Sequence, residues 1–221
     1  MTTGLIAAVP VKDLVNAKQR LVPALSPRER RELARAMLED VLEVMVAALP
    51  GSVLVITTDP EVQALARAGG AECLAESANR GHTAAVAFAQ REAAARGAAR
   101  FLTLPGDVPC VTPEEVSAVC RALDHAPGVV FVPSRSGLGT NAALLAPADA
   151  MPLTFGEPSF ANHLATARSA GLSPRVLHLP GIGLDVDGPD DLPLLLTHGP
   201  ATRSARLLRG FTSGARPAGA H

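Results

Sequence analysis

The chain has 221 residues, 48% of them apolar and 19% charged, with a formal net charge of −1. It is long enough to bury a core without staples and too apolar to be disordered throughout. The near-neutral charge, the 3% aromatic content and the lack of Trp and Tyr argue against a nucleic-acid surface, and no apolar run is long enough to span a membrane.

Leu5 to Val9 is a short apolar run stopped by Pro10 and predicts a buried strand. Val11 to Leu25 is loop-like. Ser26-Pro27-Arg28-Glu29 is a capping box with proline at the first helical position. The helix it opens is expected to run to about Leu49, because Leu33, Met37, Val41, Val44 and Ala48 share one face. A strand over Ser52–Thr57, a helix from Asp59-Pro60 and a short strand over Ala71–Leu74 follow. His82 to Gly97 predicts an alanine-rich helix, and Arg100 to Leu104 a strand ending at Pro105-Gly106-Asp107. Thr112-Pro113-Glu114-Glu115 reads as a second capping box, with its helix reaching about His125. Strands are expected over Val129–Val132, Ala142–Leu145 and Arg175–Leu179, and helices over Ser159–Ala170 and Pro189–Thr197. From Gly199 to His221 the chain carries four arginines and no acid among many Gly, Pro, Ala and Ser residues. The expectation is a single domain over 1–198 and a disordered tail over 199–221.

Strands alternating with long helices predict an α/β fold, a mostly parallel sheet covered on both faces. Ligands of such sheets bind beyond the carboxyl ends of the strands, and four groups of unusual residues fall there. Of 20 basic residues only Lys12 and Lys18 are lysines. With Arg20 they put three cations on the connection after the first strand, which suits a polyphosphate, although a solvated basic loop would look the same. Asp107, on a stiff Pro-Gly-Asp turn, suits a hard cation such as Mg²⁺ or a simple turn aspartate. In Leu184-Asp185-Val186-Asp187-Gly188, residues i and i+2 face one way, so Asp185 and Asp187 can share a cation. Capping of the next helix would explain Asp187 but not Asp185. Gly139-Thr140-Asn141 and Gly156-Glu157-Pro158-Ser159 offer close backbone approach, hydroxyls and a helix N-terminus to an anion, with Arg135 nearby. The histidines show no metal-ligand spacing, and no Walker lysine or nucleophile elbow is present.

In this order the phrases VPVKDLVNAKQRL, LPGDVP, GTNAALL, FGEPSFANHLATA and LDVDGPDDL resemble the 2-phospho-L-lactate and phosphoenolpyruvate guanylyltransferases of coenzyme F-420 biosynthesis, from about Leu5 to Leu192. The resemblance implies a Rossmann-like nucleotidyltransferase domain, a three-layer sandwich of the nucleotide-diphospho-sugar transferase type. It implies transfer of GMP from GTP to the phosphate of 2-phospho-L-lactate, phosphoenolpyruvate or 3-phospho-D-glycerate, with release of pyrophosphate. By similarity Thr140, Gly156 and Ser159 hold the acid, Asp107, Asp185 and Asp187 hold Mg²⁺, and Lys12 and Lys18 face the triphosphate, where Arg20 on the same connection is also expected to bind the nucleotide. Lys18 and Asp107 are expected to carry catalysis. One departure lies at Glu76-Ser77-Ala78-Asn79-Arg80-Gly81-His82-Thr83, where the family shows glycine-leucine-asparagine beside the nucleotide. The same residues would also serve another nucleotidyltransferase, a nucleotide-sugar glycosyltransferase or a non-catalytic GTP-binding module. No nucleic-acid or membrane partner is expected, and a homodimer is left open. The N-terminus lacks a signal peptide's basic region, and three widely spaced cysteines, Cys73, Cys110 and Cys120, fit the cytoplasm.

Overall fold

The apolar runs that lack alternation become strands buried on both faces. In the computed structural model, which describes residues 4–15, 17–76, 78–123 and 125–213, seven strands form one sheet. They are β1 (Leu5–Pro10), β2 (Val53–Thr57), β3 (Glu72–Ala75), β4 (Arg100–Thr103), β5 (Gly128–Pro133), β6 (Thr140–Ala146) and β7 (Pro174–Val176), in the order β3-β2-β1-β4-β6-β5-β7. Pairing is parallel except at β6, which runs antiparallel to both β4 and β5. The reason is chain length. Only residues 134–139 join β5 to β6, too few for the crossover that a parallel pair needs.

Among the described residues eight α-helices flank the sheet: α1 (Pro27–Ala48), α2 (Pro60–Ala68), α3 (His82–Ala95), α4 (Pro113–Arg121), α5 (Ser159–Ser169), α6 (Pro180–Gly183), α7 (Asp191–His198) and α8 (Arg203–Ser213). One face of the sheet packs on α1, α2, α4, α7 and α8 through a core that includes Leu33, Met37, Val62, Val116, Leu195 and Leu208. The other packs on α3 and α5 through Val86, Ala89, Phe101, Phe131 and Ala167. This is the expected α/β sandwich with a mostly parallel sheet.

Both capping-box sequences start helices, with one difference. Ser26 Oγ accepts from Glu29 N–H, and Glu29 reaches back to Ser26 N–H at 2.7 Å. Thr112 likewise caps α4 by accepting from Glu115 N–H. Glu115, however, does not close a box: its carboxylate accepts from the N–H groups of Gly181 and Ile182 at 2.8 and 3.0 Å. A Cβ at residue 181 would stand 2.2 Å from the Cys110 carbonyl oxygen, so glycine lets α6 dock there. Helix α6 has no counterpart among the expected elements, and of the strand expected over Arg175–Leu179 only Arg175 and Val176 pair, within β7 (Pro174–Val176). Helix α4 ends at Arg121, short of His125, and α7 begins at Asp191 rather than Pro189.

The expected disordered tail is corrected over Arg203–Ser213, while residues 214–221 lie outside those described. Ala205 and Leu208 are buried against α1. The buried Asp40 carboxylate on α1 accepts from Arg203 N–H (2.8 Å), Ser204 N–H (2.9 Å) and Ser204 O–H (2.7 Å). An acid thus meets the positive end of a helix whose first donors lack internal partners. Composition concealed this helix because its arginines lie on the solvent side. We expect Leu208→Ala to lower unfolding free energy by about 2–5 kcal/mol, read from urea denaturation followed by circular dichroism. An unchanged midpoint would show that α8 adds nothing to the fold.

Candidate active site

The carboxyl ends of β1 and β4 open into a cavity of about 620 Å³, lined by Lys12, Lys18, Arg20, His82, Asp107 and Asp187 among others. The segment after β1, expected as a loop, is pinned by buried Leu14, Leu21 and Leu25. Leu14 N–H also donates to Asp59 Oδ2, and a 3₁₀ turn forms over Gln19–Leu21. At its centre Lys18 has φ 56° and ψ 44°, the one non-glycine among the described residues with positive φ. That conformation is uncommon outside glycine and asparagine and persists only where its surroundings hold it.

What holds it is charge. Lys18 Nζ lies 2.6 Å from Asp107 Oδ2 and 2.8 Å from Asp187 Oδ1, with the lysine side chain only 8% exposed. Burial alone would lower the lysine pKa, but the two carboxylates outweigh it and push the group up to about 12. Arg20 adds a longer contact, 3.9 Å from Asp187 Oδ2. The two aspartate turns are also joined through the backbone, Val186 N–H donating to the Asp107 carbonyl. Capping near Asp187 falls instead to Asp191, whose Oδ2 accepts from Asp187 N–H and Gly188 N–H. The side chain of Asp187 is therefore spent on Lys18 and not on a helix end.

Asp185 is held from the side. Its Oδ1 accepts from Asn141 Nδ2 at 3.0 Å, and the same amide donates to the Ile182 carbonyl. Burial raises its pKa against the Asn141 bond that lowers it, and the charges of Asp107 and Asp187 add to the rise. Among the described residues no three acidic, histidine or cysteine groups converge as a ready-made metal cage. The donor chemistry nevertheless fits Mg²⁺. Asp107 and Asp187 are hard-oxygen donors gathered on either side of the Lys18 ammonium, and Mg²⁺ characteristically takes one or two carboxylates with the rest from phosphate and water.

The residues expected to hold the acid stand beside this cavity and do not line it. The register shifts between Val132 and Pro133. At this irregularity Asn141 reaches Asp185, while the preceding Thr140 reaches His163 on α5. Thr140 N–H donates to Ser159 Oγ at 3.1 Å, both residues being buried. Gly156 is exposed, with φ 114°. Phe155 connects the two regions: its ring meets His82 edge-on at 4.5 Å and His163 at 5.1 Å. Thr83 clamps Phe155 by bonding both its N–H and its carbonyl.

Sequence reasoning discounted His82 and His163 as metal ligands and assigned neither another role. Burial pushes both imidazoles down to about 4, so both are neutral near pH 7. Asn141 was quoted only as part of its glycine-threonine turn. No spacing rule points to these three: His163 meets Thr140 across 23 residues, Asn141 meets Asp185 across 44, and His82 meets Phe155 only once α3 packs on the sheet.

Comparison with known proteins agrees with this geometry. Residues 5–218 match the family described as guanylyl transferase CofC like. A phosphoenolpyruvate guanylyltransferase of Sphaerobacter thermophilus is 40% identical over 206 residues, covering 93% of this chain and 98% of its own. A 2-phospho-L-lactate guanylyltransferase of Methanothermobacter thermautotrophicus is 36% identical over 213 residues, covering 96% and 92%. A solved structure described as a nucleotide-diphospho-sugar transferase of Desulfovibrio desulfuricans superposes with a TM-score of 0.76 at 18% identity, covering 96% of both chains. The chain belongs to the CofC-like guanylyl transferase family and is a nucleotidyltransferase.

Proposed function

We propose that the protein transfers GMP from GTP to the phosphate of a small phosphorylated carboxylic acid, releasing pyrophosphate, as a step in coenzyme F-420 formation. The acid is phosphoenolpyruvate, 2-phospho-L-lactate or 3-phospho-D-glycerate. The observation that carries this reading is the Lys18–Asp107–Asp187 cluster at the carboxyl edge of the sheet, with Lys12 and Arg20 on the same cavity. The attacking phosphate oxygen is already anionic, so the site needs no general base. Its task is to bring two polyanions together and to meet charge as it moves toward the leaving pyrophosphate. Lys18, Lys12 and Arg20 supply fixed positive charge on the triphosphate side. Asp107, Asp185 and Asp187 would hold Mg²⁺, which when bound polarises phosphoryl oxygens. Thr140, Gly156 and Ser159 receive the acid on the far side of Phe155. A base seated near Gly81 and His82 meets no tyrosine or tryptophan and is read by backbone and polar groups. Three unpaired thiols are in keeping with a cytoplasmic enzyme.

The test is product analysis. Purified protein is mixed with Mg²⁺, with GTP, ATP or CTP, and with each acid in separate tubes. We expect a GMP-linked diphosphate and one pyrophosphate per turnover with one acid. A free nucleoside diphosphate would point to glycosyl transfer instead, and GTP binding without turnover to a binding module. Losing one preorganised electrostatic contact typically costs ~3–4 kcal/mol. Asp187→Asn should therefore fall at least ~100-fold in turnover with an unchanged circular dichroism spectrum, and near-normal turnover would reduce Asp187 to a scaffold residue. Lys18→Met should show a loss of the same order, because it removes the one cation that both carboxylates share.

A further inference from the structure

We propose that His163 is a positioning residue that makes the Thr140 hydroxyl an obligate hydrogen-bond donor toward the phosphorylated acid. The proposal rests on the reading of Thr140 and Ser159 as acid-binding residues and adds to it the residue that sets their polarity.

The argument follows the hydrogens. Thr154 backbone N–H can only donate, and it lies 3.0 Å from His163 Nε2. Nε2 must therefore accept, and a neutral imidazole then carries its proton on Nδ1. Nδ1 lies 2.9 Å from Thr140 Oγ1, so His163 donates and the threonine oxygen accepts. The threonine keeps its own hydrogen to give elsewhere. The same logic applies next door. Thr140 backbone N–H donates to Ser159 Oγ, which leaves the serine hydrogen free as well.

Two hydroxyls on residues 6% and 2% exposed are thus committed as donors. They sit where α5 begins, at a helix start that Pro158 does not cap through a side chain and where Phe160 N–H is already bonded to the Leu138 carbonyl. Two hydroxyl donors side by side suit an oxygen-rich anion such as phosphate or carboxylate and disfavour a ligand that must itself donate. The ring that sets this polarity is rigidly held. It stacks on Phe131 with centroids 5.4 Å apart and planes 12° apart, and Phe155 meets it edge-on. Burial keeps it neutral, so it can hold one tautomer. An imidazolium would forfeit the Thr154 bond.

The test has two arms on the full-length protein. In the first, ¹⁵N-histidine NMR on the wild type reads the tautomer at pH 7. A protonated Nδ1 with bare Nε2 is expected for His163, and the opposite tautomer or an imidazolium overturns the proposal. In the second, KM is measured for the accepted acid and for GTP. His163→Phe and Thr140→Val should each raise the acid KM about 10- to 100-fold, the loss of one hydrogen bond to a charged group, with the GTP KM unchanged. The double variant should be no worse than Thr140→Val alone, because both remove one interaction. His163→Asn, whose amide places a donor near the Nδ1 position, should restore most of the affinity, which a purely packing role would not predict. A raised acid KM in Thr140→Val but not in His163→Phe overturns the role of His163 and leaves the acid site standing. An unchanged acid KM in Thr140→Val overturns both, as does a folded wild type that neither turns over nor binds any of the three acids.

Discussion

The site depends on one buried cation shared by two acids that are distant in sequence. Lys18 is separated from Asp107 by 89 residues and from Asp187 by 169. Two carboxylates at this spacing repel unless a cation lies between them, so the ammonium is what allows the turns after β4 and α6 to approach. It also accounts for the left-handed backbone at Lys18, the one place among the described residues where a non-glycine takes that form. The surrounding structure serves the same end: Leu14, Leu21 and Leu25 anchor the cationic segment, and Glu115 anchors α6 ahead of Asp185 and Asp187.

The one antiparallel strand divides the labour of the site. Because β6 runs against β4, its first residues emerge at the edge where the parallel strands end. Successive residues of a strand point to opposite faces, so two adjacent polar residues at its start serve opposite sides of the sheet. Asn141 supports the acidic cluster, whereas Thr140 joins the hydroxyl pair on α5. The acidic cluster on one side and the hydroxyl pair on the other are thereby both tied to one rigid strand.

Neutral histidines separate these regions. His82 and His163 both sit against Phe155, and both are kept uncharged by burial. An imidazolium there would have competed with Lys18 for the carboxylates. Uncharged rings leave the ionic balance to Lys12, Lys18, Arg20 and the aspartates.

Much of the fold was legible from residue order alone. Apolar runs ended by proline or glycine marked the strands, and Ser26, Asp59 and Thr112 ahead of prolines marked three helix starts, because these signals act within a few residues. The composition of the cationic segment, the stiff aspartate turn and the paired aspartates likewise marked the residues that the fold gathers. Tertiary structure decided what depends on distant partners. It turned Glu115 from a box residue into a clamp on α6, and ordered α8 through Asp40, more than 160 residues away. It gave Asp187 to Lys18 and left the capping to Asp191, and it gave Asp185 to Asn141. It also brought His163 to Thr140. Local signals specify where the backbone bends and which face is apolar, but a buried charge or hydroxyl takes its role from whatever partner the packed chain supplies, and that partner is set by topology.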